Sequence, residues 1–196
     1  MDGFQRRREQ KKLDILKAAL SLFLEYGIQK VSISEIAKKA NVSQVTIYNY
    51  FENKHTLINE VMIYFIDTAI NDFQKTVTAN ISFPEKIKTI LFNKGEIANQ
   101  IHEEFYQYLM NEYTTEGNYI EEIYVKKTIP LFTDLIKEGK EQGYVDPNTS
   151  DEAIMFYIKM LKEYIQRDDV YSKVLPLTED ITKIFFYGIM GQNIKE

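Results

Sequence analysis

Gln44, Val45, Thr46, Tyr48 and Asn49 crowd a short stretch of the chain, and their side chains suit a surface of base edges. The amides of Gln44 and Asn49 each set a donor beside an acceptor, the pattern that pairs bidentately with adenine in the major groove. Val45 and the methyl of Thr46 suit the methyl group of thymine. Tyr48 has a hydroxyl with the reach of a backbone phosphate, and Ser32, Ser34, Ser43 and Lys54 add hydroxyls and a charge close by in sequence. Each has a plainer role as well. Ser43 can simply cap a helix, Tyr48 and Tyr50 can pack as aromatics, and Lys54 can be a solvated lysine.

To act together these residues need a frame, and the flanking sequence supplies one. Ser43 is a cap for a helix running to about Phe51, with Ile47 and Phe51 at i and i+4 on the face opposite the polar set. Upstream, Ser32 followed by Glu35 forms a capping box that starts a helix carrying Ile36, Ala37 and Ala40. Only Asn41 to Ser43 join the two. Asparagine tolerates the left-handed backbone of a tight turn, Ala37 is small where the helices approach, and Val42 can pack between them. This is helix-turn-helix geometry, in which the second helix enters the major groove by its N-terminal end. A first helix, about Glu9 to Tyr26, buries Leu13, Leu16, Leu20, Phe23 and Leu24 and stops at Gly27; Arg6, Arg7 and Arg8 precede it as a basic arm, mobile at its tip.

Charge follows the same division. The net charge of -5 hides a basic front: residues 1–60 carry ten Lys/Arg against seven Asp/Glu, a net of +3, and the remainder carries -8. Phosphates would attract one end and be repelled by the other, although +3 over sixty residues is modest. The chain has no cysteine and two histidines, His55 and His102, so a disulfide framework, a thiolate site and a histidine-rich metal centre are excluded. No apolar run spans a bilayer and no secretory leader is legible, so a cytoplasmic protein without cofactor or metal is expected. Neither a nucleophile with a positioned base nor a glycine-rich phosphate loop is present, which argues against an enzyme.

The rest of the chain reads as helix throughout, giving an all-α fold of about nine helices. Asn53 caps a long fourth helix, roughly Lys54 to Thr78. Pro84 opens a fifth, to about Asn93, and a sixth runs from about Glu96 to Tyr113. Thr115 to Asn118 is a loop. A seventh helix, about Tyr119 to Gln142, contains Pro130, which must kink or divide it. After a break at Gly143 to Asn148, Thr149 with Glu152 caps an eighth helix to about Arg167, and Pro176 and Thr178 introduce a ninth, ending near Gly191. The expected domains are residues 1–53, a three-helix DNA-binding head, and residues 54–196, a body.

The run from Gly27 to Leu57, GIQKVSISEIAKKANVSQVTIYNYFENKHTL, resembles the DNA-binding domain of the TetR family of bacterial transcriptional regulators. The positions that carry the likeness are Gly27, Ser32, Ile36, Ala37, Ala40, Val42, Ser43, Thr46, Tyr48, Tyr50, Phe51, Lys54 and Leu57, with Ile15, Ala18 and Phe23 upstream. The resemblance implies base contacts from Gln44, Val45, Thr46 and Asn49, and phosphate contacts from Tyr48, Lys54 and the start of the second helix. Asn41 replaces the usual turn glycine, Val45 a frequent small residue and Val31 a frequent threonine.

The same resemblance implies a body that binds a small molecule and dimerises. Helices four to seven would enclose the pocket, with Phe65, Phe92, Phe105, Tyr106, Tyr108, Tyr124 and Phe132 as candidate walls, although core packing is the ordinary role of each. An effector for such walls is partly apolar or aromatic. His102, Glu103 and Glu104 read as a solvated polar face, or as acids answering a cationic ligand. Helices eight and nine carry apolar stripes, Ala153, Phe156, Tyr157, Met160, Leu161 and Tyr164 on one and Ile181, Ile184, Phe185, Gly188 and Ile189 on the other, and resemble the family's dimerisation pair. A homodimer reads two half-sites, which a single head cannot do. The expected function is a ligand-responsive regulator, a repressor by the family's habit, on a palindromic double-stranded DNA operator. The alternative is a helical ligand- or partner-binding protein whose head no longer reads DNA.

Overall fold

Helix starts are set by side chains that satisfy orphan amides, and for the second, third and fourth helices they lie where the sequence puts them. The computed structural model describes residues 3–114, 118–165, 167 and 170–190. Among these are eleven α-helices and no strand: α1 Gly3–Tyr26, α2 Ile33–Lys39, α3 Gln44–Phe51, α4 Lys54–Thr78, α5 Phe83–Gln100, α6 Glu103–Thr114, α7 Tyr119–Ile123, α8 Ile129–Glu141, α9 Asp151–Ile165, α10 Tyr171–Val174 and α11 Thr178–Met190. No helix among the described residues is long and apolar enough to cross a membrane.

The helices gather into two compact units. The first comprises the chain to Thr68 together with Gln100–Leu109, so it includes α1 to α3, the first part of α4 and the start of α6. Its core is formed by Ile15, Ala19, Phe23, Ile36, Ile47, Phe51, Leu57 and Val61, all essentially inaccessible to water. The second comprises Ala69–Asn99 and the chain from Met110. Phe83, Ile87, Ile90, Leu91, Leu135, Ile136, Val145, Ile154, Phe185 and Phe186 pack together there. A buried ion pair ties this core: Lys86 donates to the Val77 carbonyl at 2.7 Å and to the Glu138 carboxylate at 2.7 and 3.0 Å.

Several boundaries depart from the sequence reading. α1 begins at Gly3, so Arg6 to Arg8 are exposed residues of a helix instead of a loose arm; the run QRRREQKK consists of strong helix formers. α5 continues through Asn93 to Gln100. Gly95 does not break it, because its missing Cβ makes room for Glu179 of α11, whose carboxylate would lie 3.1 Å from that carbon. At the start of α5 the Glu85 carboxylate accepts from the Ser82 amide and hydroxyl at 3.0 and 2.7 Å, one half of a capping box. Pro130 divides the seventh expected helix: it sits in the first turn of α8, and a π-helical turn over Tyr124–Thr128 joins α7 to α8. That wider turn accommodates the amide that proline lacks.

The cap of α9 is Ser150, whose hydroxyl accepts from the Ala153 amide at 3.1 Å, and not Thr149. The Thr149 carbonyl instead takes the Lys140 ammonium at 2.6 Å. Before α11 come the short α10 and a 3-10 turn over Leu175–Leu177 that contains Pro176. Of the expected loop from Thr115 to Asn118, Asn118 caps α7, its side chain accepting from the Glu121 amide at 3.0 Å. The rest of that loop, Thr115 to Gly117, and the end near Gly191 lie outside the described residues.

Candidate nucleic-acid interface

The reading helix is positioned by three successive caps. At α2, Ser32 Oγ accepts from the Glu35 amide at 3.2 Å, while the Glu35 carboxylate accepts from the Ser32 amide and hydroxyl, each at 2.7 Å. The Ser32 hydroxyl, and next the Ser32 amide, hold the Glu35 carboxyl below its ordinary range. The chain then turns at Asn41, which has φ of 53°, the left-handed conformation expected of it. At α3, Ser43 Oγ accepts from the Thr46 amide at 3.0 Å and shares a hydrogen bond with the Thr46 hydroxyl at 2.8 Å. At α4, Asn53 Oδ1 accepts from the Thr56 amide at 2.9 Å.

Between α3 and α4 the backbone does something the sequence does not announce. Glu52 has φ of 61° and ψ of -53°, and the Asn53 amide bonds the Phe51 carbonyl. This is a γ-turn of the rare hand, strained for any residue with a Cβ.

These caps fix which face of α3 looks out. Ile47 and Phe51 are 1% exposed, whereas Val45 is 67% and Tyr48 48% exposed, and Gln44 and Asn49 are exposed beside them. Thr46 is half-buried with its hydroxyl taken by Ser43, so its methyl is what remains for a base. Tyr50 turns the other way: its hydroxyl donates to the Arg8 carbonyl at 3.3 Å and the Arg8 guanidinium lies over its ring. Ser34 is exposed in the first turn of α2. Lys54 donates to the Ile28 carbonyl at 2.9 Å and the Gln29 carbonyl at 3.5 Å, so it first fastens the α1–α2 loop. One of its three N–H groups is left for another acceptor.

Two features of this unit escaped sequence reasoning. A shallow groove beside the α2–α3 turn is lined by Lys11, Lys17 and Lys39 with Asp14, Asn41 and Val42. The helical spacing of Lys11 and Lys17 on α1 carries no hint that Lys39 joins them. The second is a clasp on the α1–α2 loop. Glu104 accepts from the Gln29 amide at 3.1 Å, and the Glu104 amide donates to His102 Nδ1 at 3.1 Å. Gly27, with φ of 82°, leaves the space that Glu104 and His102 fill. The polar face expected at His102 to Glu104 is therefore in part a fastening of the head, between residues 75 apart in sequence, a distance that hides it from local patterns.

All of these caps up to Leu57, and the exposed face of α3, fall within residues 15–61, which match the family model described as bacterial regulatory proteins, tetR family. Residues 15–61 therefore carry a TetR-family DNA-binding domain. Among the chain's relatives is the HTH-type transcriptional repressor KstR2 of Mycobacterium tuberculosis, 20% identical over 163 residues that cover 81% of each chain. A TetR transcription regulatory protein from Mycobacterium vanbaalenii has a similar structure, with a TM-score of 0.62 at 16% identity over 95% of this chain and 99% of that one. So does the transcriptional regulator FadR from Bacillus subtilis, solved in complex with stearoyl-CoA, with a TM-score of 0.57 at 19% identity over 90% of this chain and 98% of that one. Structural likeness at these identities establishes the shared fold.

The candidate pocket walls fall into both units. In the first, Phe65 packs edge-to-face on the fully buried Phe105 at 5.4 Å, and the Tyr108 hydroxyl donates to Asn59 Oδ1 at 2.9 Å. Tyr106 is half-buried, and burial raises its phenol pKa. In the second, Phe132 packs against Phe185 and Phe186, Tyr124 lies under the Lys162 ammonium at 4.3 Å, and Phe92 is 66% exposed.

The candidate dimer stripes divide more sharply. On α9, Phe156 is 71% exposed, with Tyr157, Met160 and Tyr164 exposed along the same side, while Leu161 packs into the core with Ile154 and Ile158. On α11, Phe185 is buried, Ile189 packs against the core and Ile181 is half-buried, whereas Ile184 of the same stripe is exposed, as is Tyr187, which lies outside it.

Proposed function

We propose that this chain is a cytoplasmic repressor of transcription that binds a palindromic double-stranded DNA operator as a homodimer and is released by a small molecule. The observation that carries the reading is the outer face of α3. Gln44, Val45, Tyr48 and Asn49 stand exposed on a helix whose opposite side, Ile47 and Phe51, is locked into the core. Gln44, Val45, the methyl of Thr46 and Asn49 read bases; Tyr48, Ser34, Lys54 and the amides at the capped starts of α2 and α3 hold phosphates. The exposed apolar stripe on α9, continued by Ile184 and Tyr187 of α11, supplies the dimer surface. Residues 1–53 act as the head and residues 54–196 as the ligand-binding and dimerisation domain.

The effector, partly apolar or aromatic, selects a state of the dimer in which the two heads no longer match successive major grooves. KstR2 is named a repressor, and the FadR structure holds stearoyl-CoA, which supports both the direction of control and an amphipathic effector for this fold. Capture of preferred duplexes from random DNA tests the reading. A palindrome with half-sites about one helical turn apart, bound with an affinity that falls steeply with salt, is expected. Indifference to sequence and salt would leave a helical ligand-binding protein with an idle head.

A further inference from the structure

The groove beside the α2–α3 turn gathers three cations that neither the caps nor the reading face of α3 uses. Lys11 and Lys17 line it from α1 and Lys39 from the end of α2, and its shallow volume is about 580 Å³. Lys39 is held there, its ammonium donating to Ser21 Oγ at 2.8 Å, one turn beyond Lys17 on α1. Among the described residues none of the three lysines forms an ion pair, whereas Lys12, also on α1, is paired with Glu60 at 3.0 Å. The carboxylate among the lining residues is Asp14, which accepts from the Gln10 side-chain amide at 2.8 Å. The end of α2 adds the negative pole of a helix, about half an elementary charge. Three ammonium groups outweigh both, and like charges gathered in this way are stabilised by a polyanion from outside.

We propose that this groove holds phosphates of the operator backbone just outside the base pairs that α3 reads. The proposal rests on the reading of the head as a DNA-binding domain and extends its footprint to α1. Position supports it. Asn41 and Val42 line the groove and lead directly into Ser43 and Gln44, the end of α3 that enters the major groove. Chemistry supports it as well. Lysines are point charges on flexible stems, and around an open groove they suit a run of phosphates, whereas a small ligand is held in an enclosing cleft.

The experiment uses the full-length protein and two duplexes: the captured palindrome ending at its half-sites, and the same palindrome with flanking base pairs. Wild-type protein should bind the longer duplex more tightly and with a steeper salt dependence. Lys11→Gln, Lys17→Gln and Lys39→Gln together should erase that advantage. On the longer duplex the slope of log affinity against log salt should fall by about two to three, and affinity at low salt by roughly ten- to a hundredfold. Binding to the shorter duplex should stay at the wild-type level.

Asp14→Asn should act in the opposite sense and tighten the longer duplex by roughly two- to fivefold, the scale of one exposed charge pair. A damaged fold does not produce such a gain. Lys75→Gln, Lys126→Gln and Lys137→Gln together remove the same charge from exposed positions of the second unit and should change neither duplex. Equal wild-type affinity for the two duplexes, an unchanged slope in the groove variant, or an equal loss from the control overturns the groove while leaving the head a DNA reader. Wild-type protein that prefers no duplex brings down the DNA reading, and the groove with it.

Discussion

The outer face of α3 and the outer faces of α9 and α11 are both exposed, yet they expose opposite things. α3 buries its apolar side completely and presents amides, a hydroxyl and one valine. α9 buries Ile154, packs Ile158 and Leu161 against the core, and still leaves Phe156, Tyr157, Met160 and Tyr164 in water. The first is a finished frame offering polar groups to a polar partner. The second is an unfinished frame, with a second apolar stripe left after its own core is satisfied. An exposed apolar stripe of that kind suits a partner surface, and under the proposed function the partner is a second copy of the same helices.

The strongest way to break this contrast is to charge the unfinished surface. Phe156→Asp with Ile184→Asp should leave each monomer folded, because neither side chain serves its own core. Each protomer would lose two apolar side chains worth about 1.5–3 kcal/mol apiece on burial, so dimer affinity should fall by roughly ten-thousandfold or more. Sedimentation velocity reads this directly, and operator binding should fall with it. A variant that still sediments as a dimer would move the interface elsewhere.

The finished surface should respond in the opposite sense. Phe51→Ala, at 1% exposure, removes a ring from the packed core of the first unit and should cost about 3–5 kcal/mol of its stability. Urea unfolding followed on that unit would show the loss, and sedimentation should still give a dimer. Loss of dimer together with the head would mean that the two surfaces are not independent.

The contrast also explains what could be read in advance. In the head, each cap lies three residues from its partner: Ser32 and Glu35, Ser43 and Thr46, Asn53 and Thr56. Interactions that local are written in sequence spacing, and so the caps, the turn at Asn41 and the outward set on α3 were legible. Lys54 stands out in the sequence as a candidate phosphate contact, but its hold on the Ile28 and Gln29 carbonyls was not legible, because it depends on how α4 packs. The Glu104 clasp was further still from view. In the body, periodicity identifies an apolar face without saying whether the neighbour is the same chain or another copy. The stripe on α11 was accordingly drawn through buried Phe185 and exposed Ile184 alike, and it passed over the exposed Tyr187. Gly95 and Ser82 misled for a related reason: a glycine that admits Glu179 looks like a helix break, and Pro84 distracted from the Glu85 carboxylate that holds Ser82.

Within the polar surface, a further pair of substitutions separates reading from gripping. Gln44→Ala should change preference at particular base positions by roughly 1–3 kcal/mol, the worth of one bidentate pair. Tyr48→Phe should weaken every duplex alike, by about 0.5–1.5 kcal/mol for a lost hydrogen bond to phosphate. Competition binding against single-base variants of the captured operator distinguishes the two patterns. A uniform loss for Gln44→Ala would demote it to a phosphate contact, and a base-specific loss for Tyr48→Phe would promote that hydroxyl.

The smallest effect concerns Glu52, where the finished surface meets α4. Its backbone holds the rare γ-turn at φ of 61° and ψ of -53°, which a side chain makes costly and glycine does not. Glu52→Gly relieves that strain, of order 1–3 kcal/mol, but also adds roughly 0.5–1 kcal/mol of freedom to the unfolded chain. The balance should favour the variant by about 1 kcal/mol, seen as a higher urea midpoint with an unchanged slope. Because the turn sets the angle between α3 and α4, DNA affinity should stay level or fall even as stability rises. A variant less stable than the parent would mean that Glu52 contributes more through its side chain than its backbone loses, and the strain argument would then fail.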